Sequence, residues 1–164
     1  MLGLEPHVEG GYFRETYRSP AILETGRGPR SASTLILFLV TAGSISHLHR
    51  VMSDELWIYQ SGLPLELVML EPDGSLVTRI LADPAEPVGE DLGAPLVPQV
   101  LVPAGSWQGA RLAGGVHLPA ERAWSLIACL VTPGFEYEDF IMGRRDKLLA
   151  AYPQHAEFIR TFTA

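Results

Sequence analysis

Gly43-Ser44-Ile45-Ser46-His47-Leu48-His49-Arg50-Val51-Met52-Ser53-Asp54-Glu55 is the stretch from which this chain is best read. In an extended segment, residues two apart project to one face, so His47 and His49 point the same way, one pleat apart. Glu55 opens the next strand and folds back onto that face after the turn at Met52-Ser53-Asp54. Its period-two partners, Trp57 and Tyr59, add two large rings with polar tips, the composition of a pocket wall. Imidazole and carboxylate donors together suit Fe, Mn, Ni or Zn. A His pair also hydrogen-bonds to backbone or carboxylates, and Trp and Tyr fill cores, so spacing alone leaves both readings open.

Outward from this stretch the chain reads as short strands punctuated by sixteen Gly and thirteen Pro. Strands are expected at Tyr12 to Arg18, at the continuous apolar run Thr34 to Val40, and at Leu56 to Tyr59. Leu65 to Leu70 and Leu76 to Leu81 flank Glu71-Pro72-Asp73-Gly74, a hairpin in which Pro sets the first corner and Gly the last. Val97 to Val102, Ser106 to Leu112 and Ala123 to Thr132 complete about eight strands. Residues 83–99 and 113–122 read as loops, the first either covering a barrel mouth or merely connecting. Helix is expected only at Arg144 to Ala151 and, opened by Pro153, through Phe158 and Ile159. The pattern is that of an antiparallel sandwich or barrel.

The 164 residues fit one domain, 1–164, and 47% hydrophobic against 19% charged residues marks a globular chain. A net charge of −7 argues against nucleic acid and anionic membrane as partners, since both need clustered Lys and Arg. No secretory signal or membrane-spanning run is visible, so a cytoplasmic protein is expected. Cys129, the one cysteine, reads as a buried inert thiol.

A second segment, Val100-Leu101-Val102-Pro103-Ala104-Gly105-Ser106-Trp107-Gln108-Gly109-Ala110, is strand, tight turn and strand. Together the two segments resemble the paired motifs of the cupin superfamily. Gly43, His47, His49, Glu55 and Gly62 follow the order of the first motif, and Pro103, Gly105 and Gln108 that of the second. The gap from Gly43 to His47 is shorter than usual and that from His49 to Glu55 longer, while Gln108 stands where the fourth metal ligand is usually histidine. A narrower resemblance spans nearly the whole chain. His7-x-Glu9-Gly10-Gly11-Tyr12-Phe13-Arg14-Glu15-Thr16-Tyr17, His49-Arg50, Asp54-Glu55-x-Trp57, Val102-Pro103-Ala104-Gly105-x-Trp107 and Pro133-Gly134-Phe135-x-x-x-Asp139-Phe140 are similar to a short cupin branch of unknown function. The resemblance implies an all-β fold, a double-stranded β-helix or jelly-roll (cupin) barrel with short C-terminal helices, commonly a homodimer.

On that frame the expected metal set is His47, His49, Glu55 and Gln108, holding Fe, Mn, Ni or Zn, with His49 the firmer of the two histidines. The expected catalytic residues are His49, Glu55 and Tyr59. Tyr12, Arg14, Tyr17, Arg50, Trp57 and Trp107 are the expected contacts to a small-molecule ligand. Arg14 has a second reading as a partner of Glu9 or Glu15, and Gly10-Gly11 reads as a bend rather than a phosphate cradle. Glu136, Glu138 and Asp139 read as a solvated face, and His7, His117 and His155 as residues outside the site. Three functions follow. The first is an epimerase or isomerase acting on a small oxygen-rich, sugar-derived molecule. Its base is His49 or His47, with Glu55 adjusting basicity and Tyr59 or Tyr17 returning a proton. The second is a metal-dependent oxygenase, and the third a non-catalytic binding module.

Overall fold

The structure is a computed structural model and describes residues 2–85, 92–114 and 119–164; the expectation for His117 lies outside them, as does much of that for the two long loops. Along the chain the strands are β1 (Glu5–Pro6), β2 (Tyr12–Arg18), β3 (Ile22–Thr25), β4 (Gly28–Ser31), β5 (Thr34–Thr41), β6 (Ser46–Val51) and β7 (Asp54–Gly62). They continue as β8 (Leu65–Leu70), β9 (Leu76–Leu81), β10 (Leu96–Val97), β11 (Gln99–Val102), β12 (Trp107–Leu112), β13 (Trp124–Thr132) and β14 (Phe140–Met142). Helices α1 (Arg145–Ala151) and α2 (Ala156–Phe162) follow. None is long and apolar enough to cross a membrane.

Two six-stranded sheets face each other, ordered β1-β2-β5-β13-β7-β11 and β10-β9-β8-β12-β6-β14. This is a cupin-like sandwich with two short C-terminal helices. Period-two alternation divides its apolar residues. Leu67 and Met69 of β8 join Phe38, Val40, Trp57 and Ile127 between the sheets. Val68, and Leu48 of β6, face out and are covered by Leu148, Ile159 and Phe162 of the helices. Each such fully buried side chain contributes roughly 1.5–3 kcal/mol through the apolar surface it removes from water.

The Pro-Asp-Gly hairpin forms with the expected bounds, β8 pairing with β9 from Leu65↔Leu81 to Leu70↔Leu76. The strand expected at Val97 to Val102 is split at Pro98, which has no N–H to donate; Leu96–Val97 instead pairs in parallel with β9. The hairpin β3–β4 was not foreseen.

The turn before β2 matters most for the site. Gly10 donates its N–H to the His7 carbonyl, and the His7 N–H is bound by Gly11 O, each at 3.1 Å. Gly10 has φ +102° and Gly11 φ +70°, so both glycines make the expected bend. A Cβ at Gly10 would lie 2.1 Å from the Ile45 carbonyl oxygen. Gly10→Ala is therefore expected to cost more than the roughly 1–2 kcal/mol of a left-handed conformation alone, because backbone must also shift. Chemical denaturation measures that loss.

Candidate functional site

The bend lays Glu9 against β6. The Glu9 carbonyl accepts the His47 N–H at 2.8 Å, and Glu9 Oε1 accepts the Ser46 hydroxyl at 2.8 Å. Glu9 Oε2 lies 3.2 Å from His7 Nδ1 and 3.3 Å from His49 Nε2. Glu9 is 5% exposed and His49 2%. His49 Nδ1 sits 2.9 Å from the His47 carbonyl. A carbonyl only accepts, so Nδ1 carries a hydrogen, and Nε2 is left facing the Glu9 carboxyl. Burial pushes the Glu9 carboxyl up, but the charges of His49 and His7 and the hydrogen bonds from His7 and Ser46 outweigh it. The net shift is downward, toward the carboxylate form of Glu9.

Glu55 reaches the same space from the opposite sheet. It sits at the start of β7, opposite Val102 of β11 and Val131 of β13, and is 6% exposed. Gln108, paired with His49 across β12 and β6, donates from Nε2 to Glu55 Oε2 at 2.5 Å. Its other end accepts Trp57 Nε1–H at 2.9 Å, which fixes the amide's orientation because an indole N–H only donates. Burial, helped by the charge of Glu9, raises the Glu55 carboxyl above its ordinary value, against the charge of His49 and the hydrogen bonds from Gln108 and Cys129. The Cys129 thiol is pushed well up by burial first, then by Glu55 and Glu9. It is a buried thiol, as read, and one bound to the site carboxylate.

Of these groups His7, Glu9, His49, Glu55 and Cys129 line a cavity of about 240 Å³. Its walls are Phe13, Ile36, Phe38, Trp57, Val131 and the ring cluster Phe135, Tyr137 and Phe140. Glu5, Glu15, Arg18 and Glu136 also line it. The 135–140 segment is fastened at two points. Arg18 bonds Glu136 at 2.6 Å and the Phe135 carbonyl at 3.2 Å. Arg30 grips Asp139 with two bonds, at 2.8 and 3.1 Å, and Arg27 adds a third contact at 3.1 Å. Asp139 is thus a buried clamp rather than part of a solvated face, while Glu138 is exposed as expected.

Of the expected site residues, His49, Glu55 and Trp57 line the cavity. The others are placed elsewhere, for local reasons. Phe13 and Glu15 of β2 face in, so Tyr12 and Arg14 face out. A bulge between Glu15 and Tyr17 then reverses the parity, turning Arg18 inward and leaving Tyr17 exposed. It is Arg18, not Arg14, that pairs with Glu15, at 2.8 Å. Arg50 and Trp107 have the opposite parity to His49 and Gln108; they stack on each other, 4.8 Å from guanidinium to ring centre, away from the cavity. Tyr59 lies four residues, about 13 Å, along β7 from Glu55, with its hydroxyl on the Gly62 carbonyl at 2.6 Å.

The metal set does not assemble. His47 Nδ1 lies 2.8 Å from the Glu9 carbonyl, and both ends of the Gln108 amide are taken by Trp57 and Glu55. Among the described residues no group of three or more His, Cys, Asp or Glu is arranged to hold a metal ion. His7 and Glu9, by contrast, belong to the site and were not foreseen there. Their signal is the pair of glycines straight after Glu9, a bend that folds the preceding carboxylate back over the barrel.

The sequence model of the Cupin_5 family, described as Cupin superfamily (DUF985), matches residues 1–143. The chain belongs to this family. An uncharacterized protein of Saccharomyces cerevisiae, YML079W, is 33% identical to it over 166 residues, which cover 92% of this chain and 76% of the yeast protein. A hypothetical protein from Leishmania major is 35% identical, with a TM-score of 0.85 over 99% of this chain and 94% of its own. Protein SO0799 from Shewanella oneidensis, also 35% identical, has a TM-score of 0.81 over 100% and 93%. The description of the family and the names of these relatives state no activity, and fold does not decide function.

Proposed function

We propose that this DUF985 cupin binds a small molecule in the cavity between its sheets and transfers a proton next to a carbonyl group, as an isomerase or epimerase does. The observation that supports the reading is a pair of buried carboxyls, shifted in opposite directions, on either side of one imidazole. Oppositely shifted groups of this kind mark acid and base assignments. Glu55, with its raised affinity for a proton, is the base. Gln108 and Cys129 hold it in place, and once ionised it is a stronger base than an ordinary carboxylate. His49, which lines the cavity beside Glu9, is the electrophile, its Nε2 shared between Glu9 and a substrate carbonyl oxygen that gathers charge as the neighbouring C–H bond breaks. These roles reverse the sequence expectation, in which His49 or His47 was the base and Glu55 its modifier. The phenolic role expected of Tyr59 falls away with its position.

The cavity is smaller than the roughly 300–1,000 Å³ of drug-sized sites, which favours a small substrate. The test is incubation in D2O with small ketones and aldehydes carrying hydroxyl, amino or carboxyl groups, read by proton NMR. Exchange at the carbon beside the carbonyl, absent in Glu55→Gln, is the expected result. Binding without exchange for every compound would leave a binding module in place of an enzyme.

A further inference from the structure

The charge of the cavity lining is lopsided. It contains five glutamates, Glu5, Glu9, Glu15, Glu55 and Glu136, and one arginine, Arg18, in a chain with 12 Lys and Arg. Arg18 is spent on Glu15 and Glu136, and Glu9 on His7 and His49. Two carboxylates remain with no Lys or Arg partner among the described residues: Glu5 and Glu55. The same lining holds the rings of Phe13, Phe38, Trp57, Phe135, Tyr137 and Phe140.

We infer that the ligand of this cavity is a small organic cation, a protonated amine or quaternary ammonium, seated among the aromatic rings with its charge answered by Glu55. An anion would meet the glutamates with no free guanidinium to receive it. A neutral polyol would find few uncommitted partners on the phenyl walls. An organic cation meets both demands at once, because ring faces attract positive charge while alkyl groups fill the apolar volume. The inference rests on the cavity being the ligand site, and it names the class of ligand that the site takes.

Three molecules of nearly equal shape separate the possibilities: choline, the neutral 3,3-dimethylbutan-1-ol, and the anionic 3,3-dimethylbutanoate. The reporter is the indole N–H resonance of Trp57, beside the cavity and bonded to Gln108, assigned by its absence in Trp57→Phe. Choline is expected to bind about tenfold or more tighter than the neutral alcohol, and the carboxylate to leave the signal unmoved. In Glu55→Gln the ratio of choline to alcohol affinity should shrink severalfold. Equal or tighter binding of the alcohol or the carboxylate would overturn the cation inference and leave the site standing. No response to any of the three at tens of millimolar would remove the cavity as a ligand site, and the inference with it.

Discussion

Glu55→Gln is expected to abolish proton transfer and, at the same time, make the protein more stable as pH rises. Loss of a positioned acid–base group costs about 10²- to 10⁴-fold in rate, and the amide retains the shape that accepts the Gln108 N–H. The stability effect follows from the direction of the shift. Burial holds the Glu55 carboxyl above its ordinary 4.5 in the folded protein, so the folded state keeps a proton that the unfolded chain releases. Folding therefore loses free energy as pH climbs from about 4.5 to the raised value and stays lower beyond it. Glutamine carries no such penalty. The stability difference between variant and wild type should be small at pH 4, grow through that interval and then level off. Urea melts across pH measure it, and a variant less stable than wild type at pH 8 would contradict the assignment of Glu55 as an ill-compensated buried carboxyl.

Glu9→Ala is expected to act in the opposite sense. It leaves the His49 imidazole facing an empty, dry space, and breaking a buried charge pair typically costs about 3–5 kcal/mol. That is a large part of the ~5–15 kcal/mol that holds a domain together. The Glu9 carboxyl is held below its ordinary 4.5, so its contribution is present above that value and is lost as pH falls through the lowered one. The gap between wild type and variant should therefore be wide at pH 7 and close as the solution is acidified. In the variant His49 Nε2 has lost its carboxylate partner, and its resonance in long-range nitrogen–proton spectra should move from the wild-type position.

The barrel was legible because its strands are written in apolar runs and its tightest turn in residues with one backbone use. Leu65 to Leu81 gave both strand bounds from Pro72 and Gly74 alone. The hairpin of β3 and β4 was not legible, since Ile22 and Leu23 face solvent and no alternation marks it. What anchors it is a long-range pair between Arg30 and Asp139, 109 residues apart. The site divided along the same line. His49, Glu55 and Trp57 follow from local period-two geometry. Glu9 and His7 reach them through a bend, and Phe135 to Phe140 through two guanidinium clamps, neither of which local pattern records. Tyr17 was misplaced by one bulged residue, Thr16, which no alternation in β2 announces.

The aromatic wall is fastened by two clamps that meet different solvents. Arg18 and Glu136 are each about two-fifths exposed, within reach of counter-ions that weaken such pairs. Arg30 and Asp139 are dry. Dissolved salt therefore acts on one margin of the wall and spares the other, like a door whose bolt can rust while its hinge stays oiled. Raised ionic strength is expected to weaken the Arg18–Glu136 pair well before the Arg30–Asp139 pair.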